Sequence, residues 1–564
     1  MDIFEFREKL IEDYSSFVKS FIQVRDPRIS SVLNRALEGG LLWPSPLIQM
    51  NPAFQPGGEI EEWVAKGVLH PECSRIFRRD KKEGSDGKPL RLFRHQVEAI
   101  ESAQSGNDYV LTTGTGSGKS LAYIVPIVDY VLKQGSGKGI RAIIIYPMNA
   151  LANSQYGELE KFLRLGFPPG KEPVTFARYT GQEDQATRER ITHHPPDILL
   201  TNYVMMELIL TRVLEKKLID SARSLKFLVL DELHTYRGRQ GADVALLIRR
   251  LKDRLNVSHL QCIGTSATLA SEGAYEQRQR EIARVASKFF GAEIKPEHVI
   301  GETLQRVTTQ RDFSDPVEKE RLSKRIFSTE VPQSEESFID DSLSSWIEST
   351  FGITAEPKSE RLTRSQPRSI TGTNGAAKEL SRLTGARESD CIRAIQQGLL
   401  MGYKVKDPRT GFPLFAFRLH QFISQGDTVY ASLESEEKRH ISLHGQRFVP
   451  GDRERILLPL VFCRECGQEY YCVSLKKKAG HAVFVPRELS DRAENDESSP
   501  GFLYIGHANP WPTDPEEIAT RVPPDWLDEK GNIRKERRNW LPERTRVDTQ
   551  GNVDKGETIG HFIE

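Results

Sequence analysis

Four short apolar runs restrict what this chain can fold into. AIIIY (142–146), DILLT (197–201), FLVLD (227–231) and QCIGT (261–265) are rich in β-branched residues and are separated by stretches with helical spacing. Within each run the apolar residues do not alternate with polar ones. Both faces of each strand must therefore be covered, which is the condition of a parallel sheet with helices above and below it. Residues 86–300 are expected to form such an α/β domain.

The flanks read differently. At 564 residues the chain exceeds one core and should divide into about three or four domains. Residues 1–85 are expected to form an N-terminal accessory layer. In it Phe4, Leu10, Ile11, Tyr14, Phe17, Val18 and Phe21 recur at helical spacing, and the Pro/Gly-punctuated LLWPSPLIQMNPAFQPGGEI then predicts an irregular segment. Residues 301–400 read as linker, rich in Ser, Thr, Arg and Glu over 308–380, followed by a small helical module in AAKELSRLTGARESDCIRAIQQGLLMGY. Residues 401–564 read as a mixed α+β insertion with short strands around a CxxC, then a polar, Pro-rich, weakly ordered tail from 486. Basic and acidic residues balance at 79 each, so nucleic acid would have to be held in a local basic groove. Six unevenly spaced cysteines do not form a disulfide framework, and no run is long and apolar enough to cross a membrane. A cytoplasmic protein with no membrane partner is expected.

LTTGTGSGKS (111–120) follows the short strand DYVL and precedes SLAYIVPIVDYVL, which has the apolar spacing of a buried helix. In that order, backbone N–H groups at Gly116, Gly118 and Lys119 can wrap phosphates, Lys119 can neutralise β/γ charge, and Ser120 can ligate Mg²⁺. Thr113 stands where the usual pattern has a smaller residue. FLVLDELHTYRG then places Asp231 and Glu232 at the exit of an apolar strand, where open α/β sheets bind ligands. Asp231 would hold the Mg²⁺ shell, and Glu232 would orient and deprotonate the attacking water. GTSATLA (264–270) leaves a further strand with hydroxyls at Thr265, Ser266 and Thr268, suited to coupling phosphate state to a neighbouring surface.

In this order the segments resemble the first motor domain of superfamily 2 DEAD/DEAH-box helicases, which implies a RecA-like fold and ATP as cofactor. By that resemblance the ATP site comprises Gln96 of RLFRHQVEAI, at the base-contacting position, and Thr113, Gly114, Thr115, Gly116, Ser117, Gly118, Lys119 and Ser120. His234, Ser266 and Thr268 would couple the nucleotide to movement. Leu233 replaces the alanine of the DEAH form. YPMNALANSQ, RYTG and LLTNYVMME are similar to segments that grip one nucleic-acid strand, which implies backbone contacts from Asn149, Gln155, Thr180, Gly181, Thr201 and Asn202. DELHTYRGRQGADVALLIRRL, LHQFISQGDTVYASLE and LPLVFCRECGQEYY resemble the MrfA-related branch, which includes large helicases of phage-defence systems of the DISARM and Druantia type.

FCRECGQEYYC offers Cys463 and Cys466 as half of a zinc knuckle, with Cys472, His481, His444 or His440 as the candidates to complete it; two packed thiols are the plain alternative. Residues 300–564 show no segment of the Gln-x-x-Gly-Arg-x-Gly-Arg type, so a second RecA-like lobe is expected in cis or in trans and the chain is expected to be the N-terminal portion of a longer helicase. The expected activity is ATP-dependent nucleic-acid translocation, most consistent with DNA, in phage defence or repair and with other defence subunits as partners. Alone the chain would be a weak ATPase. The alternative is an ATP- and DNA-binding adaptor that does not translocate.

Overall fold

A computed structural model of the chain describes residues 2–21, 23–82, 85–114, 116–257, 259–267, 274–328, 331–356, 361–424, 426, 428–478, 481–491, 498–506 and 510–564. It divides into two compact units. One comprises Met50–Gln366 with Met401–Phe417, the other Met1–Gln49, Pro367–Leu400 and Arg418–Glu564. These cut the chain differently from the segments read by composition. Residues 50–85 and 301–366 belong with the parallel sheet, and the N-terminal helix Ile3–Phe21 belongs with the C-terminal strands.

The first unit is built on seven parallel strands: β1 (Tyr109–Thr112), β2 (Ala142–Tyr146), β3 (Phe176–Tyr179), β4 (Ile198–Asn202), β5 (Phe227–Leu230), β6 (Gln261–Ser266) and β7 (Val299–Gly301), in the spatial order β7-β1-β6-β5-β2-β4-β3. Ile144, Leu200, Val229 and Ile263 enter one buried cluster. Their chain neighbours Ile143, Ile145, Leu199, Leu228 and Leu230 enter the other, on the opposite face. That two-sided burial is the reason the runs lack alternation. Helices α1 (Arg94–Gln104), α2 (Leu121–Gln134), α3 (Asn149–Leu163), α4 (Tyr203–Thr211), α5 (Gly238–Leu255) and α6 (Tyr275–Phe290) cover the two faces. This is the α/β, RecA-like architecture expected for residues 86–300.

The segment read as linker is packed. Helices Pro316–Phe327, Glu335–Ile339 and Ser342–Ile347 bury Leu322, Phe338, Trp346 and Ile347. The hairpin β8 (Ile353–Ala355) and β9 (Leu362–Arg364) follows them. Its apolar residues are few, but Leu322, Ile326, Phe338, Trp346, Ile347 and Phe351 are buried, so a low apolar count concealed a real core. The Pro/Gly-rich stretch near residue 50 also holds short strands, Leu47–Asn51, Ala53–Phe54 and Pro56–Glu59.

The second unit carries an antiparallel sheet of β10 (Val429–Ala431), β11 (Ile441–Ser442), β12 (Leu458–Phe462), β13 (Glu469–Lys478), β14 (His481–Pro486), β15 (Ser498–Tyr504), β16 (Glu543–Val547) and β17 (Thr558–Ile563). Its order is β11-β10-β12-β13-β15-β17-β16, with β14 also on β13. The expected weakly ordered tail therefore contributes three strands. Leu503, Val547 and Phe562 enter the sheet's core beside Ile29 of the helix Pro27–Glu38, and pairing between distant segments supplies the order that local composition hides. The expected helix pair is present as Ala376–Thr384 and Glu388–Lys404. Among the described residues no helix is long and apolar enough to cross a membrane.

Candidate nucleotide and nucleic-acid site

The strand order gathers the motifs. β1, β6 and β5 are adjacent, so the Gly-rich loop, the SAT segment and the Asp-Glu pair leave neighbouring strand ends. Asn149, Thr180, Gly181, Thr201 and Asn202 lie at the exits of β2, β3 and β4, on the other half of the same edge. Ligands of open α/β sheets bind outside these carboxyl ends.

The loop is shaped by its neighbours as well as by its glycines. Gly118 has φ +68°, and a Cβ there would meet Gln96 Nε2 at 2.6 Å, so only glycine fits. Gln96 Nε2 donates to the Gly118 carbonyl at 2.9 Å, while its Oε1 accepts from the Phe93 N–H at 2.8 Å. With the side chain 1% exposed, its amide braces the loop to the start of α1 rather than presenting itself to a base. His95, which the motif reading missed although it adjoins Gln96, bonds the Ser117 carbonyl through Nε2 at 2.9 Å, and burial lowers its pKa. Thr113 and Ser117 are buried and share a 2.6 Å hydroxyl contact, so their side chains close the loop from inside. Gly114 has its N–H bonded to Glu302. Thr115 lies outside the described residues, and Gly116 is exposed.

Lys119 Nζ reaches Glu232 Oε1 at 2.9 Å. Glu232 itself sits in left-handed backbone at φ +52°, a costly conformation for a residue that is neither glycine nor asparagine. Its Oε2 is buried without a hydrogen-bond partner, 3.3 Å from His234 Nδ1. Asp231 accepts the Thr265 hydroxyl, and the Glu232 N–H donates to that same hydroxyl oxygen at 3.1 Å. Burial, reinforced by the charge of Glu232, pushes the Asp231 carboxyl up to about 6. A carboxylate this desolvated favours a cation, and Ser120 stands at the start of α2 directly after the loop, so these are the two residues that would hold Mg²⁺. Ser266 Oγ lies 3.3 Å from His234 Nδ1, so the SAT segment touches both the Asp-Glu pair and its histidine. Thr268 lies outside the described residues.

On the other half of the edge, Asn202 Nδ2 donates to Asn149 Oδ1 at 2.6 Å and to the Thr180 carbonyl at 3.1 Å, and Asn202 Oδ1 caps α4 by accepting the Met205 N–H at 2.6 Å. Glu183 accepts the N–H groups of Thr180 and Gly181 and the Arg178 guanidinium. Thr201 is fully buried and its hydroxyl donates to the Tyr179 carbonyl at 2.7 Å, so it fixes the strand end instead of facing a ligand. Gln155 is half-buried six residues along α3, outside this cluster.

Residues 93–276, from the start of the helix bearing Gln96 to just beyond the SAT strand, match the DEAD/DEAH box helicase family. The chain carries a DEAD/DEAH box helicase domain. Among curated proteins, the chain is similar to Druantia protein DruE of Escherichia coli, 27% identical over 380 residues covering 47% of this chain and 20% of DruE. It is 34% identical over 219 residues to the uncharacterized ATP-dependent helicase YprA of Bacillus subtilis, covering 38% of this chain and 27% of YprA. These matches span between a fifth and about a quarter of the relatives' length. The solved structure of DUF1998 helicase MrfA bound to DNA superposes with a TM-score of 0.36 at 24% identity, over 52% of this chain and 40% of that one.

Cys463 and Cys466 bracket the turn joining β12 to β13, where the Gly467 N–H bonds the Cys463 carbonyl at 2.9 Å. Backbone N–H groups of Cys466 and Glu465 hold the Cys463 thiol below its ordinary value. Among the described residues no group of three or more His, Cys, Asp or Glu side chains is placed to hold a metal ion. The zinc expectation therefore lacks its remaining ligands, and Cys472 is buried in β13. The thiol pair stands as a turn in the antiparallel unit.

Proposed function

We propose that the helicase domain is the ATP-hydrolysing first lobe of a DNA helicase or translocase that works with a second RecA-like lobe, in phage defence or DNA repair. The observation that supports this best is the Lys119–Glu232 pair at 2.9 Å, with the Thr265 hydroxyl bridging Asp231 and the Glu232 N–H behind it. In this arrangement the loop's cation is neutralised by the residue that would serve as the base. When ATP enters, its β/γ-phosphates draw Lys119 away and free the Glu232 carboxylate.

Asp231 and Ser120 are the residues that would hold Mg²⁺, which would supply positive charge to the phosphates. Glu232 then orients a water and accepts its proton. The water oxygen forms a bond to the γ-phosphorus as the bond to the β–γ bridging oxygen breaks, and ADP leaves with that electron pair. Thr265 and Ser266 feel the change directly, because one touches Asp231 and the other His234. Asn149, Thr180, Gly181 and Asn202 would grip the sugar–phosphate backbone of one strand, a contact that positions without reading sequence. The resemblance to defence and repair helicases favours DNA and that setting.

The test is ATP hydrolysis stimulated by single-stranded DNA, measured with and without an added second lobe, because arginines supplied from outside a lobe accelerate related hydrolases by roughly 10³–10⁵. Expected are ATP binding that Lys119→Ala weakens about 10- to 100-fold, slow hydrolysis by the chain alone, and strong stimulation by the second lobe. ATP binding without any such stimulation would instead support the non-translocating adaptor. Binding unaffected by Lys119→Ala would overturn the site.

A further inference from the structure

Beside the Gly-rich loop stands a pair of charges that the helicase motifs do not include. Glu302, one residue past β7, accepts the Gly114 N–H on Oε2 at 3.1 Å. The same oxygen accepts Arg364 Nη2 at 2.9 Å, and Arg364 Nε donates to Oε1 at 2.7 Å. A backbone N–H of the phosphate loop and a guanidinium thus converge on one anionic oxygen. A Cβ on Gly114 would lie 2.7 Å from Arg364 Cζ, so the guanidinium packs directly against the loop. Arg364 is also braced from behind. It ends β9, paired with Ile353 of β8. Three residues earlier, Arg361 donates to the Glu302 backbone carbonyl at 3.0 Å and stacks over Tyr275 at 3.4 Å. A cleft of about 220 Å³ runs along Glu302, Arg361 and Arg364, leaving room for exchange.

We propose that Arg364 is a nucleotide-binding arginine supplied in cis by the β8–β9 hairpin, and that Glu302 is the anion that occupies its place until nucleotide arrives. On binding, a phosphate oxygen of the nucleotide takes the position of Glu302 Oε2 between the Gly114 N–H and Arg364. The inference rests on reading residues 112–120 as the nucleotide loop. A polyphosphate carries more charge than one carboxylate and offers the planar guanidinium a two-point contact of the same kind, so the exchange favours the nucleotide. Glu302 is then a competitor whose charge opposes every incoming phosphate. The two members of this one ion pair should act on affinity in opposite directions, whereas a pair that only braces the hairpin would weaken binding whichever partner was removed.

Equilibrium binding of fluorescent ATP, ADP and AMP analogues to the full chain, with thermal melting of each variant, decides the matter. Arg364→Ala is expected to weaken ATP about tenfold, ADP less and AMP not at all, with Arg364→Lys recovering part of the loss. Glu302→Gln is expected to tighten ATP several-fold. Equal weakening by Arg364→Lys and Glu302→Gln, or unchanged ATP affinity in Arg364→Ala while Lys119→Ala loses it, would overturn the role of Arg364. Unchanged affinity in Lys119→Ala would overturn the nucleotide loop itself.

Discussion

In the parallel-sheet unit Asp231 is 7% exposed, accepts a threonine hydroxyl and is held near pH 6. In the antiparallel unit Asp26 lies against Arg439, which is fully buried and also reaches Glu469 at 2.7 Å. There burial alone would raise the Asp26 pKa, but the Arg439 contact and the Ile29 and Arg28 N–H groups outweigh it, and the carboxyl ends below its ordinary value. The two buried aspartates differ in what was left for something else to supply. Charge neutralised within the chain marks scaffold, and charge left under-neutralised at a strand exit marks a place for a ligand.

The sharpest way to separate these roles is at Glu232. Glu232→Gln keeps the shape of the side chain and removes the proposed base, so DNA-stimulated hydrolysis should fall by about 10²–10⁴ while analogue binding changes only a few-fold; steady-state kinetics beside a binding titration would read both, and equal loss of the two would make the residue a fold element. Arg439→Ala tests the other unit. It strands two buried carboxylates and should cost about 3–5 kcal/mol in denaturant unfolding, without altering the nucleotide affinity of the protein that remains folded. A shift in that affinity would erase the contrast.

Asp231→Asn is expected to stabilise the magnesium-free protein by about 1–3 kcal/mol. The sign follows from the raised folded-state pKa: the parent's relative stability is full below the unfolded value of about 3.8 and is lost as pH rises through about 6, so the gain from the substitution should be absent near pH 3.5 and complete by pH 7. Thermal melts across that range should also show that added Mg²⁺ with ATP stabilises the parent alone. Cys463→Ser should produce the smallest effect, unchanged ATP binding and a melting shift of no more than about 1–2 °C. Zinc found by metal analysis of the parent, together with a large melting loss in the variant, would give the turn a metal role.

The sheet and the loop could be read from sequence because both are local statements. Five apolar residues in a row mean a doubly covered strand wherever they occur, and a lysine amid glycines between strand and helix means an anion cradle. The fate of Thr201 was not local: the same hydroxyl could face a ligand or its neighbouring strand, and only the register of β4 on β3 turns it to Tyr179. Gln96 looked available and is tied down at both ends of its amide. Arg364 lay in a stretch whose composition suggested linker. Its partner Glu302 is 62 residues away, and no spacing rule connects them. The antiparallel unit was the least legible, since β15 finds β17 across a polar interval.

The order β7-β1-β6 has a consequence in time. The strand that feeds the phosphate loop ends at Thr112, but its two sheet neighbours begin only at Gln261 and Val299. At about 5–20 residues per second, a ribosome needs on the order of ten to forty seconds to deliver both. Until Gln261–Ser266 emerges, Tyr109, Val110 and Leu111 have no lateral partner to pair with, and their second side stays open until Val299–Gly301 follows, so the strand before the Gly-rich loop is synthesised early and is among the last of its sheet to be enclosed.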